Sequence, residues 1–300
     1  MSEPLLREAL AAEAEHEALT PEAGDRRYFR PDATPGWLLV RTATPPPRPS
    51  ADWLTERGVR VPRLGAATAG GYLVEDLGDR HLWHAPTVVH YREVLTAARR
   101  LAGGCLPAGH PCAGRALDAA LFRTELGMFR ELWVQERRGR FRTSGAASAL
   151  DAACDGLARA AAAPPWRVQH RDLHSRNVLL PAGGGVALID HQDLRPGPLF
   201  YDLASLVTDA YLDLPPEVDA ALQAEVTTLG REAGLSAGEA RRRFQATALQ
   251  RVLKALGTFA RLLRAGREDY AAAEARALAH ARRLLGDGTE HPLLAEAVAG

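Results

Sequence analysis

The chain has 300 residues, a formal net charge of zero, 46% apolar and 25% charged residues, which is enough for one large or two modest cores of ordinary globular composition. A balanced charge excludes the basic excess of a general nucleic-acid binder, and no apolar run approaches the length of a membrane span. Three cysteines, Cys105, Cys112 and Cys154, leave one over in any disulfide framework, so reduced thiols in a cytoplasmic monomer are expected, with neither nucleic acid nor membrane as partner.

In chain order, residues 4–19 read as an amphipathic helix with Leu5, Leu6, Leu10 and Ala14 at helical spacing. Short strand-like pieces follow at Tyr28–Arg30, Trp37–Arg41 and Tyr72–Glu75, the first two separated from the third by the Pro-rich run at 44–49. Ser50 to Arg57 is a short helix candidate, with Ser50 available as its N-cap. After LVEDLGD, helical periodicity dominates at 87–103, 115–137 and 144–163, then at 200–212, 216–232, 237–265 and 269–285. A strand-and-turn island at 166–193 interrupts it, where NVLL and VALID flank the glycine-rich PAGGG as a hairpin. The pattern predicts an α+β fold: a small mixed α/β N-terminal lobe over 1–77 and a larger, mainly helical lobe over 78–300 that embeds the hairpin.

The chemistry is concentrated in His170-Arg171-Asp172-Leu173-His174-Ser175-Arg176-Asn177, followed thirteen residues after Asn177 by Asp190-His191-Gln192-Asp193. An acid, an amide five residues on and a second acid across a hairpin suit phosphoryl transfer from ATP, where the protein must position the reactants and neutralise charge. Asp172, on the loop before the hairpin, is the candidate catalytic base. Mg²⁺ wants hard oxygen ligands, and Asn177 and Asp190 at the outer ends of the hairpin offer an amide oxygen and a carboxylate. His170 is expected to be architectural, behind the catalytic loop. A polar loop whose acids merely cap turns is the bland alternative, and the full order and spacing argue against it.

These residues resemble the aminoglycoside phosphotransferase and choline kinase superfamily, relatives of protein kinases. DRRYFR at 25–30, EDLGD at 75–79, the run from HRDLHSRN through YDLASLVTDAYLDLP, and LQRVLKALGTFARL at 249–262 are similar, more narrowly, to the anomeric kinases of N-acetylmuramate and N-acetylglucosamine. The resemblance implies a bilobal protein-kinase-like fold, ATP and a small sugar as substrates, the sugar 1-phosphate as product, and a place in cell-wall recycling. It implies that Glu75-Asp76-Leu77 is the hinge that meets the adenine, that Gly24 to Tyr28 covers the phosphates with help from Arg26 or Arg27, and that Asp202 braces the catalytic loop. The chain departs from most kinases in one respect. Its only lysine is Lys254, so the strand lysine that usually holds the ATP phosphates is missing. Arg41 is the positional substitute, with Glu56 as its expected partner.

On the helix around 246–264, Leu249, Leu253, Leu256, Phe259 and Leu263 form an apolar face, and Arg251, Lys254, Thr258 and Arg261 a second one. Such a polar face is ordinarily solvated. If it lines the acceptor site, Arg251 and Lys254, with Asp193, would contact the substrate and favour a neutral or anionic acceptor over a polycation. The rival readings are a kinase of another small alcohol, such as an aminoglycoside, choline or homoserine, and a catalytically silent nucleotide-binding regulator. A protein kinase is disfavoured, because there is no DFG, no APE and no activation segment between Asp193 and residue 200.

Overall fold

The computed structural model describes residues 3–11, 26–32, 34–286 and 289–299. In chain order the elements are α1 (Glu3–Ala11), β1 (Arg27–Phe29), β2 (Trp37–Arg41), α2 (Arg48–Glu56), β3 (Leu64–Thr68), β4 (Gly71–Glu75), α3 (Val88–Ala102), α4 (Ala119–Met128), α5 (Ser144–Ala161), β5 (Trp166–Gln169), β6 (Val178–Leu179), β7 (Ala187–Leu188), β8 (Arg195–Pro198), α6 (Tyr201–Val207), α7 (Pro216–Glu232), α8 (Ala237–Arg264), α9 (Ala271–Leu284) and α10 (Pro292–Val298). They divide into two compact units. The first comprises residues 1–81 and 177–192, and the second residues 82–176 and 193–300.

The first unit is built on an antiparallel sheet in the order β1-β2-β4-β3. Leu39 and Leu73 face each other across β2 and β4 and pack with Leu6 of α1 and Phe29 of β1. The sheet closes tightly at Gly71, whose φ is +154° and where a Cβ would lie 2.3 Å from the Val40 carbonyl oxygen. Only glycine tolerates that approach. The strand β3 lacks a clean apolar alternation (its pattern is broken by a register shift between Leu64 and Ala67), which is why periodicity does not reveal it. Ser50 does not cap α2. That helix begins two residues earlier behind Pro47, with Pro49 in its first turn, where a missing N–H costs nothing. The hairpin β6–β7 belongs to this unit, and Leu180 N–H donates to Arg80 O while Leu188 N–H donates to Arg60 O.

The second unit is helical around one large core that includes Phe122, Phe129, Trp133, Leu157, Leu253 and Leu256. Four of its helices start where a side chain satisfies free N–H groups of the first turn: Thr87 for α3, Asp118 for α4, Thr143 for α5, and a reciprocal Ser236–Glu239 capping box for α8. The single helix expected over 115–137 starts only at Ala119 and continues as a π-helical segment, Phe129–Arg137. The π-helical start coincides with close passage of α8, because a Cβ on Gly257 would stand 2.7 Å from the Phe129 nitrogen. The strands β5 and β8 pair antiparallel, Gln169 opposite Arg195, and this ladder carries the loop that holds Asp172.

Candidate active site

In the second unit, the loop after β5 is fixed by a buried carboxylate. Asp202, in the first turn of α6, accepts the backbone N–H groups of His170 (2.6 Å) and Arg171 (3.0 Å), while its own N–H donates to Gln169 Oε1 (3.0 Å). Arg171 has φ +82°, a region that non-glycine residues occupy only when the surroundings enforce it. Asp209 holds the other end of the loop, accepting the N–H groups of Ser175 (2.6 Å) and Tyr211 (2.9 Å). Burial raises the pKa of both Asp202 and Asp209 against these stabilising donors.

Asp172 projects from that loop with a third of its side chain exposed. Its Oδ1 lies 3.2 Å from Arg251 Nη1 and 3.3 Å from Lys254 Nζ. Burial works against its charge, but the Lys254 ammonium and the Arg251 guanidinium outweigh it and hold the carboxyl well below the usual carboxylate range. The same Arg251 nitrogen donates to the Arg171 carbonyl (3.0 Å) and the Tyr201 hydroxyl (3.3 Å), and the guanidinium stacks over the Tyr201 ring. His174, driven down to about 3 by burial, is neutral near pH 7 and rests on Tyr211. A cavity opens here, lined by Asp172, Tyr211, Arg251, Lys254, Thr258 and Phe259 among others. Its lining combines charged, hydroxyl-bearing and aromatic side chains.

Asp193 does not line this cavity. Its carboxylate is paired with Arg195 through two bonds of 3.1 Å, with Arg115 at 3.0 Å and with Arg171. Its charge is spent on bracing the chain around Arg171.

In the first unit, the β6–β7 ladder sets Asn177 across from Ile189, whose N–H donates to the Asn177 carbonyl at 3.0 Å, so that Asn177 and Asp190 stand at the same end of the hairpin. Asp190 has φ +60°, a second non-glycine residue in the left-handed region. Its Oδ1 accepts from Gln192 Nε2 (2.6 Å) and lies 4.0 Å from Arg26 Nη1, which donates to Gln192 Oε1 (3.2 Å). The donor set, one amide oxygen and one carboxylate, fits Mg²⁺, which takes few protein oxygens and fills its octahedron with water and phosphate.

The remaining candidates also fall in the first unit. Arg27 and Arg41 face each other across β1 and β2. Glu56 is exposed and lies 3.9 Å from Arg57. Glu75 closes β4, its N–H donating to Arg63 O and its carboxylate accepting from Arg63 N. Asp76 is held by Arg30 (2.6 Å), whose hydrogen bond keeps its carboxyl low, and half-buried Leu77 follows. Gly24 and Asp25 of the expected phosphate loop lie outside the described residues.

Sequence reasoning assigned nothing to Glu125, Tyr201, Asp209 or Tyr211. Glu125 left a trace: it sits three residues after Phe122 and beside Leu126 on the apolar stripe of α4, and an acid on a buried face needs a reason.

Comparison with known proteins identifies the family and the fold. The family model described as "Phosphotransferase enzyme family" matches residues 17–235. The N-acetylmuramate/N-acetylglucosamine kinase of Pseudomonas aeruginosa is 31% identical over 270 residues, covering 83% of this chain and 77% of that protein. The kinase of the same name from Neisseria meningitidis serogroup B is 31% identical over 287 residues, covering 88% and 83%. Among solved structures, an ethanolamine kinase from Plasmodium vivax superposes with a TM-score of 0.62 at 11% identity, covering 94% of this chain and 84% of that one. A choline kinase from Streptococcus pneumoniae gives 0.59 at 12%, covering 93% and 99%. The fold is therefore the protein-kinase-like α+β fold of the aminoglycoside phosphotransferases and choline kinases. Among the described residues no helix is long and apolar enough to cross a membrane.

Proposed function

The chain belongs to the phosphotransferase enzyme family, and from that membership we propose that it transfers the γ-phosphoryl group of ATP to the anomeric hydroxyl of N-acetylmuramate or N-acetylglucosamine, releasing the sugar 1-phosphate and ADP. As a family member it is a phosphotransferase with an alcohol acceptor. The names of the two relatives support the acceptor. The observation that carries the reading is the place of Asp172, held by a braced loop at the wall of a cavity with two cations against it.

In the proposed reaction Asp172 orients the acceptor hydroxyl and takes its proton as the new O–P bond forms and the bond to the ADP oxygen breaks. Asn177 and Asp190 would hold Mg²⁺, which supplies charge neutralisation on the phosphates when bound. Arg26, 4.0 Å from Asp190, would meet the same phosphates, and Arg41 would substitute for the absent strand lysine. Backbone groups of Glu75 to Leu77 would receive the adenine. Arg251 and Lys254 make the cavity wall unfavourable for choline, ethanolamine or a polycationic aminoglycoside and support a neutral or carboxylate-bearing sugar. The reading places the enzyme in the recycling of cell-wall sugars.

The test is ADP release with Mg²⁺-ATP across a panel of N-acetylmuramate, N-acetylglucosamine, an aminoglycoside, choline and homoserine. Turnover with the N-acetyl sugars and phosphorus resonances of a sugar 1-phosphate are expected. Turnover only with an amine-bearing acceptor overturns the acceptor assignment, and no Mg²⁺-dependent turnover with any acceptor favours a silent regulator.

A further inference from the structure

Glu125 is out of place. It lies on the face of α4 that carries Phe122 and Leu126 into the core, and only 7% of it is exposed. A carboxylate there has lost its water and must be compensated by partners. Its Oε2 accepts from Gln250 Nε2 at 2.8 Å. Its Oε1 makes no hydrogen bond but lies 3.7 Å from Lys254 Nζ and 3.5 Å from Arg171 Nη2. The Lys254 ammonium is therefore placed between two carboxylates, Glu125 and Asp172, at 3.7 and 3.3 Å. The other groups that face it are Tyr201 from α6 and Arg251 from one turn back on α8. His174 and Arg171 face the Asp172 end.

We propose that Glu125 is a positioning residue for phosphoryl transfer, sharing the Lys254 ammonium with Asp172 so that Asp172 can take up the acceptor's proton. The inference rests on the reading of Asp172 as the base. Cations against a carboxylate stabilise its charged form and oppose protonation. With Asp172 as its sole partner, Lys254 would be left as a lone buried ammonium each time Asp172 became neutral, and that cost would be added to the barrier. Glu125, 3.7 Å from the ammonium and remote from the acceptor's proton, gives Lys254 a partner in both states of the base. An acid serving only the packing of α4 would do better as leucine, which fills the stripe without a desolvation cost.

The chain offers a direct probe, because Lys254 is its only lysine. Isotope-labelled lysine then gives a single side-chain signal whose titration reports this ammonium. Glu125→Gln is isosteric and keeps an acceptor for Gln250. The lysine is expected to titrate at lower pH in this variant than in wild type, with kcat down about tenfold and the KM for ATP unchanged, and Glu125→Asp should restore part of the rate. In a Lys254→Met background, Glu125→Gln is expected to add no more than about a twofold loss, since it acts through the lysine. A lysine signal indifferent to Glu125→Gln, or losses that multiply in the double variant, overturns the inference and leaves the base assignment standing. Full activity of Asp172→Asn overturns the base assignment whatever the lysine signal shows.

Discussion

The carboxylate of Asp202 binds the backbone N–H of His170 at 2.6 Å with one oxygen and keeps the other for Arg171 at 3.0 Å. The pair ties α6 to the loop that presents Asp172 and holds Arg171 at its positive φ. Asp202→Ala leaves two N–H groups without acceptors, at about 1–3 kcal/mol each. The variant is expected to melt at lower temperature and to lose kcat, because the loop relaxes. Thermal unfolding and steady-state kinetics on the same preparation check both.

Asp172→Asn keeps the shape of the side chain and removes its capacity to accept a proton. A rate loss of about 10²- to 10⁴-fold is expected, with ATP binding retained. Single-turnover kinetics and nucleotide titration would show it. A loss confined to KM would contradict the assigned role.

The same carboxyl makes stability depend on pH in a definite sense. Its folded pKa is depressed, because the Lys254 and Arg251 charges outweigh burial. The stability it contributes is therefore fully present above its unfolded value of about 3.9 and is lost as pH falls through the lower folded value. Asp172→Asn should be less stable than wild type at pH 7, and the gap should begin to narrow below about pH 4 as pH falls toward the folded value. Melting temperatures of both proteins from pH 7 to pH 2.5 provide the comparison.

Lys254→Met preserves the length of the side chain and deletes its charge from the cavity wall. The KM for the acceptor is expected to rise while that for ATP stays put, and the rise should be larger for N-acetylmuramate, which carries a carboxylate, than for N-acetylglucosamine. Initial-rate kinetics with each sugar distinguish the two. Unchanged acceptor kinetics would remove Lys254 from the acceptor site.

Gly257 lies three residues beyond Lys254 on α8, where a Cβ would stand 2.7 Å from Phe129 N and 3.0 Å from Met128 C. Backbone cannot yield as a flexible side chain can. Gly257→Ala is expected to push α8 from the π-helical segment, costing about 1–3 kcal/mol and raising the acceptor KM through displacement of Arg251 and Lys254. Chemical denaturation and acceptor kinetics read the two effects.

What the sequence by itself determined is local. The order Asp172, Asn177, Asp190 along one loop and one short hairpin can be read from spacing, because the two short apolar runs that become β6 and β7 flank a glycine-rich connection and fold back on each other locally. The helices α7 and α8 were readable for a similar reason, since their signals are local: Pro216 at the first position of α7 and the Ser236–Glu239 capping box of α8. Tertiary structure decided what depends on contacts between distant segments. It alone placed Glu125 of α4 beside Lys254 of α8, 129 positions away, and gave Asp193 to three arginines instead of the cavity. It also turned the end of the predicted 115–137 helix into a π-helical segment against Gly257. Spacing along a chain fixes which groups a turn or helix brings together. Which charges share a buried volume is settled only when separate helices pack and water is excluded between them.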